Sequence, residues 1–382
     1  MKIVIVCPTL NHGGAERVAS LWAKGFAEVG HEVFFVANIE KEEAYSLDKK
    51  IHLLPLAYTK GNKVVRYIVA IKRLRSYYKK YHPDVIIGVM YACTLLAKMA
   101  ELGMGIPVIN TEHSAFEQPM EYPMSLSDRI SKYCLNYLYD GITVLTQADH
   151  HLVGKRFKHV FVLPNPTFLK PLGKVPHKDK IVFAAGRLDA WQYKGFDILI
   201  KAWANVVSSL KSQVSSEGWR LQIAGTGSAE SLQYLKQLRK ENGVEGTVDF
   251  LGFRTDIEEL YKQSEIFMLS SRYEGFGMVL IEAMSQGCAC VACDYKGRQR
   301  EIFEELKDGR IEELKSGSYE VCNNGVLCLP DDVEAMAGAL EKMIKDEGYR
   351  HMVRENAIMR SHSFTLDKIV DRWFDIFEQL VR

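Results

Sequence analysis

The chain has 382 residues, 47% of them apolar and 25% charged, with a formal net charge of +1. Those values exclude a disordered chain and a disulfide-stapled miniprotein, give no footing for a dedicated nucleic-acid binder, and suffice for two domains with ordinary cores. The longest uncharged apolar stretch, Val85 to Ala97, is too short to span a bilayer, and the run Ile3 to Val6 is too short for a signal peptide, so a cytoplasmic chain is expected.

In chain order, Lys2 to Cys7 reads as a buried strand: short, rich in β-branched residues and closed by Pro8. Asn11-His12-Gly13-Gly14 follows. Val18, Leu21, Trp22, Gly25, Phe26 and Val29 then recur at helical spacing until Gly30-His31, and Val33 to Val36 is a second strand. Strand, glycine loop, helix and strand in succession form a βαβ unit and imply a parallel sheet. The alternation continues with strands near 84–89, 106–110, 141–145 and 159–163, and helices near 64–81, 92–102, 126–139 and 147–153. The proline-rich stretch 164–178 has no periodicity and reads as a linker. A second alternation starts at Lys180, with strands near 220–224, 247–251, 265–269 and 289–293 between helices near 196–209, 229–242, 256–263, 278–286, 332–346 and 350–359. A terminal helix near 365–381 carries Ile369, Trp373, Phe374 and Phe377 as an apolar stripe that needs a packing surface. Cys288, Cys290 and Cys293 alternate with small apolar residues and lack a clear fourth ligand nearby; a buried strand fits them better than a zinc site.

Open parallel sheets bind ligands at the carboxyl ends of their strands, and the polar residues of interest fall in those loops. Gly13 and Gly14 allow a phosphate or sugar to approach the backbone at a helix start, although the pattern is not G-x-G-x-x-G. Arg187 follows the first strand of the second half and Lys194 stands just before a helix, two cations suited to a departing diphosphate. Gly225-Thr-Gly227 reads equally as a ligand loop or a plain turn. In Arg272-Tyr-Glu274-Gly275-Phe276-Gly277-Met278, the glycines free the backbone before a helix. Glu282 lies one turn inside that helix among apolar residues, where a carboxylate must bind hydroxyls or find a partner.

Glu274 and Glu282 form Glu-x7-Glu. With Gly13-Gly-Ala-Glu-Arg17, Gly186-Arg-Leu, Lys194-Gly-Phe-Asp197 and the late Asp332-Val-Glu-Ala-Met336, in this order, the chain resembles the retaining glycosyltransferases of family 4, which have the GT-B fold. The resemblance spans essentially the whole chain. It implies two α/β Rossmann-like domains facing a cleft: an acceptor-side domain over 1–168, a nucleotide-sugar domain over 178–362, and a C-terminal segment 363–382 crossing back to the first domain. It implies that Gly13 and Gly14 approach the donor's phosphates, Arg187 and Lys194 hold the diphosphate, and Glu274 contacts donor-sugar hydroxyls. Gly275, Phe276, Gly277 and Met278 offer backbone contacts, Glu282 binds the ribose, and Gly225 with the Phe253-Arg254 loop borders the nucleotide. His113, after the strand ending at Asn110, takes the family's histidine position near the donor sugar. The implied reaction moves a sugar from a nucleoside-diphosphate sugar, with UDP as the first expectation, to a glycan or lipid-linked saccharide of envelope polysaccharide synthesis. No metal and no cofactor are implied.

Two departures from the family pattern stand out. Five residues separate Leu188 from Lys194 where about three are usual, and the usual Gly-Pro-x-Glu reads Lys296-Gly-Arg298-Gln-Arg300-Glu301, followed by an acidic insertion through Glu320; neither Arg298 nor Arg300 has an assigned role. An oxidoreductase needs the absent dinucleotide fingerprint, whereas a sugar-nucleotide epimerase, a phosphorylase of related fold or a non-catalytic sugar-nucleotide binder would share the diphosphate site. Finally, Lys60 to Lys80 holds eight Lys/Arg and no acid, with Val64, Tyr67, Ile68, Ile71, Leu74 and Tyr78 at helical spacing. A helix packing that stripe on its own sheet is expected, its basic face adding attraction to an anionic membrane.

Overall fold

Short β-branched runs that are apolar on both faces become parallel strands when helices cover them, and that is how the chain folds twice over. The computed structural model describes residues 1–10, 13–38, 47–56, 62–118, 123–211, 214, 218–304 and 314–381. Asn11 and His12 of the first loop, Lys60 of the basic segment and 305–313 of the acidic insertion lie outside the described residues. Two units result, residues 1–166 with 366–382, and residues 167–365. The division falls inside the proline-rich stretch read as a linker.

The first unit contains β1 (Lys2–Val6), β2 (Glu32–Ala37), β3 (His52–Pro55), β4 (Val85–Val89), β5 (Val108–Thr111), β6 (Gly141–Val144) and β7 (Val160–Val162). They form one sheet in the order β3-β2-β1-β4-β5-β6-β7, parallel throughout. Edge strand β3 has no counterpart among the expected strands: its four residues are half-buried or exposed and carry no alternating signal. The sheet order reverses between β1 and β4, so the loops after these two strands flank a topological switch point.

The terminal helix Leu366–Leu380 belongs to this unit and lies against helix Gly14–Glu28. Its stripe finds Phe26, whose ring centroid stands 6.0 Å from Trp373 and 5.7 Å from Phe377, while Trp22 meets Trp373 at 5.1 Å. Close approach is possible because Gly25 has no side chain: a Cβ there would meet Val370 Cγ2 at 2.5 Å.

Helix Lys63–Tyr81 is started by Asn62, whose side chain accepts from the Val64 amide, and ends at His82 in the left-handed region before Pro83. The expected stripe divides in two. Ala70, Leu74 and Tyr78 are buried against Val4, Ile86 and Ala97, but Val64, Val65, Tyr67 and Ile68 are exposed. Only the second half of the helix lies over the core, and this corrects the expectation of one stripe packed along its length.

The second unit contains β8 (Asp179–Ala185), β9 (Arg220–Ala224), β10 (Val248–Gly252), β11 (Ser264–Leu269), β12 (Ala289–Cys293), β13 (Tyr319–Cys322) and β14 (Gly325–Cys328). The sheet order is β10-β9-β8-β11-β12-β14-β13, with only the edge hairpin β13–β14 antiparallel. Here the order reverses between β8 and β11. Val182, Leu221, Ile266 and Val291 meet Trp203 and Leu340 from the covering helices in a continuous core. Cys288, Cys290 and Cys293 are buried, and β12 holds the last two, as the alternation with small apolar residues implies.

Candidate active site

In the second unit, the loops after β8 and β11 bring a cation and a carboxylate together at the switch point. Lys194 Nζ donates to Glu274 Oε1, and Ser271 Oγ donates to the same oxygen at 2.9 Å. The two charged side chains are largely buried. The longer Leu188–Lys194 spacing does not carry Lys194 away. The extra residues wind into a 3-10 turn, Leu188–Ala190, and a single helical turn, Trp191–Lys194. Trp191 stacks on Tyr234 at 4.3 Å. Gly195 then reverses the chain with φ +64°, where a Cβ would lie 1.9 Å from the Ser270 carbonyl oxygen.

Residues outside the expected set fix this turn. Ser270 Oγ donates to the Lys194 carbonyl at 2.7 Å, and the Arg272 amide donates to the Tyr193 carbonyl at 2.8 Å. Arg272 grips Asp197 with two bonds, 2.7 and 2.8 Å long, and reaches the Gln192 carbonyl at 2.6 Å and Asp331 at 2.5 Å. Asp197 first, and then Asp331, hold this guanidinium charged. Arg272 thus ties the β11 loop to the β8 loop and holds Lys194 against Glu274. Its place in Arg272-Tyr-Glu274 and that of Asp197 in Lys194-Gly-Phe-Asp197 were the available signals. No spacing rule pairs residues 75 positions apart.

Arg187 stands at the end of β8 with its side chain 78% exposed, and its closest charged partner is Asp189 at 3.9 Å. Gly225 follows β9 at φ +146°, packed so tightly that a Cβ would fall 1.8 Å from the Gly186 carbonyl oxygen. That contact alone requires glycine. Phe253 is exposed, and neighbouring Arg254 is paired to Asp256 at 2.7 and 2.5 Å. Gly277 precedes helix Met278–Ser285, Phe276 is buried, and Gly275 is partly exposed. Glu282, on that helix, is only 4% exposed, and Tyr261 Oη donates to its Oε2 at 3.2 Å. Burial, and then the Glu282 charge, push the Tyr261 hydroxyl well above its ordinary pKa and keep it a donor.

The Lys296–Glu301 departure folds as helix Arg298–Phe303, with Gln299 and Arg300 amides donating to Asp294 Oδ1 at 3.0 and 3.2 Å. Arg300 is committed to Glu320 on β13 through a two-bonded pair and lies 3.8 Å from Asp294. Arg298 is buried over the Tyr295 ring at 5.2 Å. Arg300 therefore anchors the edge hairpin.

In the first unit, a cavity of about 480 Å³ opens at the other switch point. Gly14 and Glu16 line it after β1, Met90 and Tyr91 after β4, Thr111 to Ser114 at the end of β5, and Asp128 and Lys132 from helix Leu126–Tyr133. Gly13 caps helix Gly14–Glu28 from just outside. Met90 adopts φ +63°, an uncommon conformation for a residue with a side chain, at the strand-to-helix elbow. His113 reaches the cavity wall with Nε2 3.0 Å from Thr111 Oγ1 and its ring 5.5 Å from Trp22. Thr111 Oγ1 already donates to the Gly88 carbonyl at 3.0 Å, so it accepts from His113 Nε2–H. Nδ1 is buried with no hydrogen-bond partner among the described residues, and burial lowers the imidazole pKa to about 4. His113 is neutral at pH 7. Lys132 is enclosed by Glu112 at 3.7 Å, Ser114 Oγ at 2.9 Å and the Ala115 carbonyl at 2.8 Å.

Two parallel α/β units, each with polar loops gathered at its switch point, define the two-domain GT-B class. The profile described as Glycosyl transferases group 1 matches residues 168–360, and that described as Glycosyltransferase Family 4 matches 12–167. The chain belongs to this family and is a glycosyltransferase. A Campylobacter jejuni α-1,4-N-acetyl-D-galactosaminyltransferase acting on a diphospho-undecaprenol-linked glycan is 26% identical over 390 aligned positions, covering 100% of this chain and 99% of that one. The amylovoran biosynthesis glycosyltransferase AmsD of Erwinia amylovora is 24% identical, covering 98% of each chain. Among solved structures, Anabaena HepE in complex with UDP and glucose superposes with a TM-score of 0.77 at 19% identity, covering 100% of both chains.

Proposed function

We propose that the chain transfers a sugar from a nucleoside-diphosphate sugar, with uridine diphosphate as the carrier, to a glycan or lipid-linked saccharide acceptor, and that the anomeric configuration is retained. The observation that carries this reading is the Lys194–Glu274 pair across the β8/β11 switch point. A diphosphate calls for the cation and sugar hydroxyls call for the carboxylate, so the two groups that hold each other in the free chain are those that a nucleotide sugar would separate. Arg187, exposed and 3.9 Å from Asp189, would swing onto the same diphosphate. Glu282, steadied by Tyr261, would accept from the ribose, with Phe253 and Arg254 beside the base and Gly225 and Gly275 to Met278 at its backbone.

In the reaction the bond from the anomeric carbon to the β-phosphate oxygen breaks. The acceptor oxygen bonds to the same face, and its proton passes to the departing phosphate. Lys194 and Arg187 stabilise the charge that develops there. Gly13, Gly14 and His113 would meet the donor from the first unit. A neutral His113 suits contact with a sugar hydroxyl and does not suit a proton donor at pH 7. The three carboxylates of the first-unit cavity, Glu16, Glu112 and Asp128, favour a hydroxyl-rich acceptor unit over an anionic one. Support for a lipid-linked acceptor comes from the Campylobacter relative, and such an acceptor would hold the work at the inner face of the cell membrane.

The test is a panel of nucleotide sugars ranked by thermal shift, followed by transfer from the best one to undecaprenyl-diphosphate saccharides and NMR of the new glycosidic linkage. An anomeric configuration matching the donor's is expected. An inverted product, or epimerised donor without transfer, overturns the reading.

A further inference from the structure

The first half of helix Lys63–Tyr81 leaves the core, and its apolar residues have no cover among the described residues. Val64, at 61% exposure, Val65, Tyr67 and Ile68 are exposed over the first turn and a little beyond. Two other elements continue the patch. Tyr91, within electrostatic reach of Tyr67, donates to Asp128 on helix Leu126–Tyr133 and lines the cavity with it. That helix presents Leu126, 74% exposed, and Ile130. Met90 stands exposed beside Tyr91 at the cavity lip. Exposed apolar residues gathered on neighbouring elements of a folded domain mark an interaction site.

Charge identifies the partner. Arg66, Lys72 and Arg129 are exposed around the patch and Arg73 is partly so, while no Asp or Glu occurs between Asp48 and Asp84. Asp128, the acid at its border, is engaged by Ser125 and Tyr91. A second copy docking about a two-fold axis would set this basic rim against itself, an arrangement that like-charge repulsion opposes. A surface that is apolar at its centre, basic at its rim and without cover among the described residues fits the headgroup region of an anionic bilayer. No helix among the described residues is long and apolar enough to cross a membrane.

We propose that Val64, Tyr67, Ile68, Leu126 and Ile130 insert into the surface of an anionic leaflet, with Arg66, Lys72, Arg73 and Arg129 on its headgroups. The first-unit cavity shares Met90, Tyr91 and Asp128 with the patch border, so a saccharide carried on a lipid in that leaflet would arrive at the cavity mouth. That consequence rests on the transfer reading; the docking itself does not.

The test is flotation of the full chain with phosphatidylcholine vesicles, with and without phosphatidylglycerol, across a salt series. Binding is expected only with phosphatidylglycerol and should weaken as salt rises. Val64→Ser combined with Ile68→Ser, and separately Leu126→Ser, should each lower partitioning about tenfold or more, and Arg66→Gln about fivefold. Melting temperature and UDP affinity should stay at wild-type values. No binding to phosphatidylglycerol vesicles, or binding that the three serines leave unchanged, overturns the docking while the transfer reading stands. So does light scattering that finds a dimer which Val64→Ser with Ile68→Ser splits into monomers, since the patch would then be an interface between copies.

Discussion

Replacing Glu274 by glutamine separates its contact with Lys194 from its proposed contact with the donor sugar. The substitution keeps the shape of the side chain and an acceptor oxygen for Ser271, but removes the charge that holds Lys194. Lys194 would then donate to a neutral amide oxygen; the bond keeps its charged donor but loses the ion pair, so Lys194 is released for roughly 1 kcal/mol less. That difference is about a fivefold gain in affinity for UDP, read by isothermal titration calorimetry. Sugar hydroxyls lose a charged acceptor at the same time, and transfer should fall about 10²-fold, close to 3 kcal/mol at the transition state. The two measurements therefore move in opposite directions. A tenfold loss of UDP affinity in Glu274→Gln, or transfer at the wild-type rate, would refute the reasoning.

Glu282→Gln should weaken UDP binding about tenfold through the ribose, whereas the affinity for inorganic pyrophosphate should stay unchanged; equal losses for both would remove Glu282 from the ribose. His113, whose pKa falls from 6.5 to about 4, favours the native state above pH 6.5 and loses that contribution as pH drops towards 4, because the unfolded chain binds the proton first. The effect is at most about 3 kcal/mol, and His113→Asn should flatten the acid limb of the stability profile between those pH values. Lys178, buried below the second sheet, donates to the carbonyls of Tyr261, Lys262 and Gln286 at 2.8, 3.1 and 3.0 Å and so closes two helix ends. Lys178→Met should cost roughly 3 kcal/mol in urea unfolding without changing UDP affinity per folded molecule. Trp373→Ala should cost about 3–5 kcal/mol, since the indole is buried against Trp22 and Phe26.

The alternation of strands and helices was legible because both sheets are parallel but for the β13–β14 hairpin and most of their strands are continuous apolar runs. Less legible were elements lacking that signal: the half-exposed edge strand β3, the hairpin β13–β14 and the turn Trp191–Lys194. Lys194 and Glu274 could be singled out by type and spacing, but their contact depends on Arg272, Asp197 and Ser270, which act across 75 to 80 positions of sequence. The stripe of helix Lys63–Tyr81 misled for a related reason. Period alone cannot tell a face over the core from one that runs past its edge, and Val64 and Leu74 look alike until the sheet's width is known.

A nucleoside diphosphate is proposed to seat on Lys194 at the β8/β11 switch point. Calorimetric titration of UDP into the wild-type chain and into Lys194→Met tests it most directly. Saturable binding to the wild type should weaken tenfold or more in Lys194→Met, with the melting temperature of the free chain within a few degrees of wild type. Equal UDP affinity in the two proteins would contradict it.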